Sequence, residues 1–269
     1  MRCGISTACL YPEETETALR QLLSDGHKRF EIFFNTVREF HSPYLDRMKD
    51  ALEEHGATVR SVHPFTCGYE SVMLFSNYES RFEDSLEFYR EYCEAARKLG
   101  ADLLILHGMY TDFSSAEAEK RYFRRYRELY RMGQSCGVTV TQENVTRFVA
   151  EDPAFVARMR EELHDECAFC FDVKQAVRSR VDIREMLRAM GEKLIHVHLN
   201  DNSPEKSCLL PGRGTMDFPA LFRELKAMGY DGDIIIEVYR SDFRKVGELG
   251  QCRDLVNKWL KDAEKDTKF

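Results

Sequence analysis

The sequence lacks a long hydrophobic run, because no window approaches the roughly 20 continuous apolar residues of a membrane-spanning helix. Its first residues, MRCGISTACL, contain no basic segment followed by a long apolar stretch, so no secretory signal is predicted. Positive charge is outnumbered, since 39 lysines and arginines stand against 46 aspartates and glutamates and leave a net charge of −7. An acidic chain repels nucleic acid and anionic membranes over most of its surface. We therefore expect a cytoplasmic protein that binds neither.

The sequence also lacks a disulfide framework, although it has nine cysteines. Their number is odd, their spacing is irregular and most of them lie in apolar runs, which predicts reduced thiols. Cys167 and Cys170 form a Cys-x-x-Cys motif inside a predicted strand, where positions three apart face opposite sides. Two packed thiols are therefore favoured over a zinc site.

No linker or low-complexity segment divides the chain, in which short apolar runs alternate with longer helical patterns. The predicted strands begin at Cys3, Phe30, Thr58, Asp102, Val138, Ala168, Leu194 and Asp233. The predicted helices lie near residues 13–24, 43–55, 80–99, 115–133, 153–163, 182–190, 218–228 and 243–264. Eight such units predict an α/β fold, a single (β/α)8 TIM barrel over residues 1–269. A doubly wound open sheet is the alternative, but it calls for a glycine-rich loop where the sequence reads ACLYPEET.

Polar residues recur near the C-terminal ends of six predicted strands. Because side chains alternate along a strand, these residues lie opposite the fully apolar face and point into the barrel. They are His63, His107, Glu143, Asp172, His198 and Glu237. Any one of them could be a hydrogen-bonded core residue or a cap, but three carboxylates and three imidazoles at one mouth need a cation. Six such residues at the C-terminal rim, where TIM barrels hold their active sites, predict a divalent-metal centre.

Through these residues and the motifs around them, the sequence resembles the xylose isomerase-like TIM barrels. That family contains sugar isomerases, ketose 3-epimerases, inosose dehydratases and apurinic endonucleases. The resemblance covers nearly the whole chain and rests on ILHG at 105–108, QEN at 142–144, FDV at 171–173, HVHLND at 196–201, PGRGTMDF at 211–218 and IIEV at 235–238. By resemblance to the isomerase and epimerase branch, the metal ligands are Glu143, Asp172, His198 and Glu237. The implied metal is manganese, with magnesium, cobalt or zinc as alternatives.

The resemblance implies an isomerase or epimerase that acts on a small sugar, sugar phosphate or polyol. The substrate would chelate the metal through a carbonyl and a neighbouring hydroxyl, and a glutamate would remove the proton from the adjacent carbon. Glu143 and Glu237 are the candidate catalytic pair, one removing the proton and the other returning it. The candidate substrate contacts are His63, His107, Gln175 and Arg213.

Several alternatives stay open. An inosose-type dehydratase shares the metal ligands. Gln175 stands where the isomerase branch commonly has a histidine, and because glutamine cannot transfer a proton at neutral pH, a non-catalytic relative is a further alternative. An apurinic-endonuclease-like phosphodiesterase is disfavoured, because Gln175 replaces a zinc-binding histidine and residues 206–208 read KSC where that branch has Asp-x-His. The oligomeric state is open, with a homo-oligomer among the alternatives.

Three residues and one segment have further expected roles. Arg213 either binds a carboxylate or phosphate of the substrate or pairs with a nearby acid. His196 lies one layer deeper than His198 and is expected to support it by hydrogen bonding, and Asp201 is expected to orient either Arg213 or His198. The segment 64–78, rich in Phe, Tyr and Met, is either a lid over the pocket or a loop packed on the rim or on a partner subunit.

Overall fold

The structure is a computed structural model that describes residues 1–113 and 115–265. At its centre is a closed barrel of eight parallel strands. The barrel strands are β1 Arg2–Ser6, β2 Arg29–Phe33, β3 Thr58–His63, β4 Leu103–Leu106, β5 Thr139–Glu143, β6 Phe169–Asp172, β7 Leu194–Leu199 and β10 Asp233–Ile236. Around the barrel they pair in the order β1-β10-β7-β6-β5-β4-β3-β2. The predicted (β/α)8 barrel is thus confirmed, and the open-sheet alternative is wrong because β1 pairs with β10.

Helices surround the barrel and follow the strands in the predicted alternation. They are α1 Thr15–Ser24, α2 Tyr44–Glu54, α3 Cys67–Tyr69, α4 Glu79–Lys98, α5 Ala116–Ser135, α6 Pro153–Leu163, α7 Val173–Ser179, α8 Ile183–Met190, α9 Phe218–Ala227 and α10 Gly247–Lys265. The sequence dictates several of their ends. Asp217 caps α9 by accepting a hydrogen bond of 2.9 Å from the Ala220 amide, and Gly137 takes a positive φ of 75° just after α5.

Three elements differ from the predicted pattern. The segment after β7 folds into a two-stranded antiparallel hairpin, β8 Asp201–Ser203 and β9 Lys206–Leu209. The short helix α7 starts directly after β6, because the Asp172 carboxylate accepts hydrogen bonds from the Lys174 and Gln175 amides. The segment 64–78 contains α3 and a π-helical turn, Glu70–Leu74.

The core lies between the apolar outer faces of the strands and the helices. Ile234 and Ile236 of β10 are fully buried on this side. Helix α5 packs through the buried side chains of Tyr122, Tyr126 and Leu129, and the Tyr126 hydroxyl donates to the Val140 carbonyl at 2.7 Å. The outer faces of the strands are therefore occupied by hydrophobic packing, which leaves the barrel interior for polar groups.

Two predictions about the whole chain can be compared with the described residues. Within 1–113 and 115–265, no helix is both long enough and apolar enough to cross a membrane. The eight cysteines whose side chains are described are all free, and Cys167 and Cys170 are both buried. Cys167 lies two residues before β6 rather than within it.

Candidate metal centre and active site

The barrel brings the four predicted metal-binding residues to one point on its C-terminal rim. Glu143 ends β5, Asp172 ends β6, His198 lies near the end of β7 and Glu237 directly follows β10. One side-chain atom from each of them lies within 4.8 Å of the corresponding atoms of the other three. All four are buried, so their charges are largely removed from water.

His198 is held so that one ring nitrogen faces the three carboxylates. Its Nε2 lies 3.0 Å from Glu31 Oε2 and donates to it. Its Nδ1 lies 3.5 Å from Glu143 Oε1, 3.6 Å from Glu237 Oε2 and 3.9 Å from Asp172 Oδ2. These distances are too long for good hydrogen bonds but leave space for a bound ion between the four groups.

Glu31, on β2, is a functional residue that the sequence patterns did not predict. Its Oε2 also accepts from the Ser61 hydroxyl at 2.8 Å and contacts His196 Nε2 at 3.2 Å. Burial alone would raise the pKa of Glu31, but the charge of His198 and the hydrogen bonds from both histidines hold it well below its usual value. The ionised carboxylate therefore fixes the orientation of His198 from below, and His196 is the deeper hydrogen-bonding partner that its position predicted.

Lys174 is the second functional residue that the sequence patterns missed. Its ammonium lies 2.8 Å from Glu237 Oε2 and 3.0 Å from Asp172 Oδ2, and the residue is only 4% exposed. Burial disfavours the charged ammonium, but Asp172 and Glu237 outweigh that effect and hold the pKa of Lys174 well above its usual value. A lysine two residues after the predicted ligand Asp172, just past the end of a predicted strand, was the available signal.

His63 and His107 approach the same centre through Glu143. His63 Nε2 lies 3.6 Å and His107 Nε2 3.3 Å from Glu143 Oε2. His63 Nδ1 is 2.9 Å from the Pro64 carbonyl, which can only accept, so Nδ1 carries the proton in the neutral ring. The Nε2 lone pair of His63 then faces a carboxylate, which is a further indication that this rim is built around a cation.

The carboxylates differ in how readily they ionise. Burial would raise the pKa of Glu143, but the neighbouring imidazoles of His107, His198 and His63 keep it well below its usual value. Lys174 and His198 similarly lower the pKa of Glu237 against the effect of burial. Burial, opposed by Lys174 and reinforced by the charges of Glu143 and Glu237, raises the pKa of Asp172 to about 6. All three carboxylates are thus mostly ionised at neutral pH, and Asp172 is the one that takes up a proton first as the pH falls.

These observations show that the residues present fit a divalent metal. The donor set of three carboxylates and one imidazole is the type that Mn²⁺, Mg²⁺, Co²⁺ or Zn²⁺ takes in proteins. His198 Nδ1 is buried and has no hydrogen-bond partner among the described residues. Such an atom is costly unless something binds it, and an ion between it and the three carboxylates would remove that cost.

A cavity of about 310 Å³ opens beside the four residues. It is lined by Ala8, Tyr11, Phe33, Asn35, His63, His107, Glu143, Lys174, Gln175, Glu237, Val238 and Tyr239. Three of the four predicted substrate contacts therefore face this space. Gln175 reaches it from α7, where its Oε1 accepts from the Thr146 amide at 3.2 Å.

Arg213, the fourth predicted substrate contact, is not among the residues lining this cavity. Its Nη2 lies 2.6 Å from Glu248 Oε2, and its side chain is 52% exposed. This is the arrangement expected from the alternative interpretation, a loop arginine paired with a nearby acid. Asp201 accepts from the amides of Gly212 and Gly214, so it holds the backbone of the Arg213 loop rather than its guanidinium or His198.

The model of the xylose isomerase-like TIM barrels matches residues 19–263. The chain belongs to this family. An uncharacterized protein of Mycobacterium leprae is 24% identical over 277 aligned residues, which cover 92% of each chain. A D-tagatose 3-epimerase-like protein is similar with a TM-score of 0.82 and 18% identity, covering 99% of each chain. An L-ribulose 3-epimerase is similar with a TM-score of 0.81 and 17% identity, covering 99% of this chain and 97% of that one. At these identities the solved structures establish the fold that this member of the family shares with them.

Proposed function

We propose that this chain is a metal-dependent sugar or polyol isomerase or epimerase that works by proton abstraction next to a carbonyl. The observation that carries the proposal is the convergence of Glu143, Asp172, His198 and Glu237 within 4.8 Å at the edge of a cavity. The similarity of the fold to an L-ribulose 3-epimerase and to a D-tagatose 3-epimerase-like protein supports the choice of substrate class.

The chemistry divides between the ion and the protein. A bound divalent metal would polarise the substrate carbonyl and so acidify the carbon-bound hydrogen beside it. Glu143 and Glu237 act as the bases, one removing that proton and the other returning it. Both line the cavity, and their pKa values are lowered, so both are ready to accept a proton at neutral pH.

The other residues bind and orient the substrate. His63, His107 and Gln175 line the cavity with polar groups that can exchange hydrogen bonds with substrate hydroxyls. Phe33 stacks on His63 with ring centroids 4.6 Å apart, which fixes the imidazole and supplies an apolar wall. Such a mixture of one apolar side and several polar groups suits a sugar ring or chain.

Metal analysis followed by solvent exchange tests the proposal. We expect the protein to bind about one divalent ion per chain, with Mn²⁺ as the first choice, and to incorporate deuterium from D2O next to the carbonyl of a ketose. Glu143→Gln and Glu237→Gln should each lower the exchange rate by about 10²–10⁴-fold, because each removes a base. Glu119→Gln, at an exposed ion pair with Arg158 on the outer helices, is the matched control and should keep the full rate.

Other outcomes distinguish the alternatives. An unsaturated or dicarbonyl product would indicate a dehydratase, and cleavage of abasic DNA would indicate the phosphodiesterase branch. Metal binding without exchange on any of a panel of aldoses, ketoses and polyols would indicate a non-catalytic relative. Failure to bind any divalent ion would overturn the proposal.

A further inference from the structure

Lys174 contacts the same carboxylate oxygens that face the candidate ligand nitrogen of His198. Glu237 Oε2 lies 2.8 Å from Lys174 Nζ and 3.6 Å from His198 Nδ1. Asp172 Oδ2 lies 3.0 Å from Lys174 Nζ and 3.9 Å from His198 Nδ1. A metal bound to His198 Nδ1 and to these two oxygens would therefore share both of them with an ammonium group. Two cations on the same pair of oxygens repel each other strongly in a buried site.

The backbone of Lys174 is fixed, but its side chain has a direction in which to move. Asp172 Oδ1 accepts from the Lys174 amide at 2.6 Å, which anchors the first turn of α7 beneath the rim. Lys174 itself lines the cavity, and its Nζ lies 5.2 Å from the centre of the Tyr239 ring. Tyr239 is 44% exposed, and its ring, which also lies 5.3 Å from the Arg178 guanidinium, is within reach of an ammonium that leaves the two carboxylates.

We propose that Lys174 is a resident cation of the metal centre, one that a divalent metal displaces towards Tyr239 and that then faces the substrate from the cavity wall. This inference rests on the proposed function, because it takes the four-residue centre to be a metal site. It goes further by assigning a role to Lys174 that neither the family's ligand set nor its substrate contacts contain.

The charges support an exchange of cations. Glu143, Asp172 and Glu237 carry three negative charges when ionised, and Lys174 supplies one positive charge to two of them. In the metal-free protein the ammonium relieves part of the repulsion between these buried carboxylates. Once a divalent ion takes over that role, the ammonium becomes available for an oxygen of the substrate, and an anionic or oxygen-rich group near Tyr239 fits it best.

Metal affinity measured by competition with a chelating dye tests this proposal without any assay of activity. We expect Lys174→Met to bind Mn²⁺ at least tenfold more tightly than the original protein, because no ammonium has to leave. Lys174→Gln, which keeps a polar end, should change the affinity in the same direction and serves if the methionine variant does not fold without metal. Lys206→Met is the matched control, since Lys206 pairs with Asp242 at 2.7 Å and does not line the cavity.

Amine labelling followed by peptide mass spectrometry supplies a second readout. We expect the acetylation of Lys174 to increase when Mn²⁺ is added, while the acetylation of Lys206 stays constant. Mn²⁺ affinities of the Lys174 variants within twofold of the original protein, or labelling of Lys174 that does not respond to Mn²⁺, would overturn the proposal and leave the metal site intact. Failure of every variant to bind a divalent metal would overturn the proposed function and this inference together.

Discussion

Asp233 and Glu237 lie four residues apart at the two ends of the same strand, β10, and both are buried carboxylates. At the N-terminal end, Asp233 faces three guanidinium groups: Arg29 Nη2 at 2.5 Å, Arg2 Nε at 3.4 Å and Arg60 Nε at 3.6 Å. At the C-terminal end, Glu237 lies among carboxylates, and Lys174 is the cation that contacts it at 2.8 Å.

The buried charges at the two ends of the barrel are therefore compensated in different ways. The N-terminal end is neutralised by the chain itself, so its charges are fixed partners that contribute to stability. The C-terminal end keeps an excess of negative charge that a ligand can neutralise. This division matches the general rule that TIM-barrel active sites occupy the C-terminal face, and it gives each end a separate test.

The largest expected effect comes from Glu237→Gln. This change should lower deuterium exchange by at least about 10²-fold, because the glutamine can neither accept a proton nor bind a cation as a carboxylate does. The free energy of unfolding of the metal-free protein should fall, because the lowered pKa of Glu237 means that the fold favours its charge, and the change breaks the 2.8 Å ion pair with the buried Lys174. Urea denaturation and the exchange assay measure the two quantities. A variant that loses stability but retains exchange would show that the C-terminal end is structural.

Asp233→Asn is the matched change at the other end of the strand, and it should lower stability without affecting the metal centre. It leaves three arginines around a neutral amide, and breaking a buried ion pair in this way costs about 3 kcal/mol of the free energy of unfolding. Metal affinity should stay within twofold, because the substitution lies a full strand length from the candidate ligands. Urea denaturation gives the stability and dye competition the affinity. Unchanged stability in this variant would contradict the view that the N-terminal cluster is a fixed ion-pair network.

The sequence patterns predicted the barrel and the convergence at its rim, but they did not predict the partners of the converging groups. Alternation along each strand is enough to place His198, Asp172 and Glu237 at the mouth. Glu31, by contrast, meets His196 from a strand that is not adjacent to β7, across 165 residues of sequence. Such a contact exists only once the barrel has closed, so a single charged residue in the apolar run FEIFF gave no indication of its partner.

Lys174 and the start of α7 were not predicted for a different reason, which lies in contacts between neighbouring residues of the chain. The start of α7 depends on the Asp172 side chain, which caps the helix through one oxygen while the other faces the candidate metal centre. Periodicity does not reveal that a residue has two roles at once. The reach of a lysine side chain likewise depends on its rotamer, which the sequence does not encode in any periodic way.

Glu70 is a third buried carboxylate to compare with Asp233 and Glu237. It lies near the C-terminal rim and accepts hydrogen bonds from neutral donors. It accepts from the Gly108 amide and from the Tyr89 hydroxyl. Burial, opposed by His107 and by these hydrogen bonds, raises the pKa of Glu70 from 4.5 to about 7. The folded chain thus holds this proton more tightly than the unfolded chain does.

The stabilisation linked to that proton is fully present below pH 4.5 and is lost as the pH rises through about 7. Because one pKa unit corresponds to about 1.4 kcal/mol, we expect a loss of about 2 to 3 kcal/mol between pH 5 and pH 8. Glu70→Gln carries no such proton, so its stability relative to the original protein should rise by that amount over the same range. Urea denaturation at both pH values measures the difference, with Glu119→Gln as the surface control. A difference that is independent of pH would contradict the raised pKa.

The smallest effect is expected for Arg213→Gln. This substitution tests whether the loop beyond the hairpin contributes to substrate binding or only to the structure. An arginine that holds a substrate carboxylate or phosphate through two hydrogen bonds would raise KM by tenfold or more when it is replaced. The structure instead pairs its guanidinium with Glu248 at 2.6 Å, at a side chain that is 52% exposed. Exposed pairs contribute roughly 0–1 kcal/mol to stability, so we expect a loss within that range and a change in KM below twofold. Steady-state kinetics on the best substrate of the panel measure KM. A rise of tenfold or more would mean that Arg213 leaves Glu248 to bind the substrate, and the active region would then extend past the cavity to the Asp201-anchored loop.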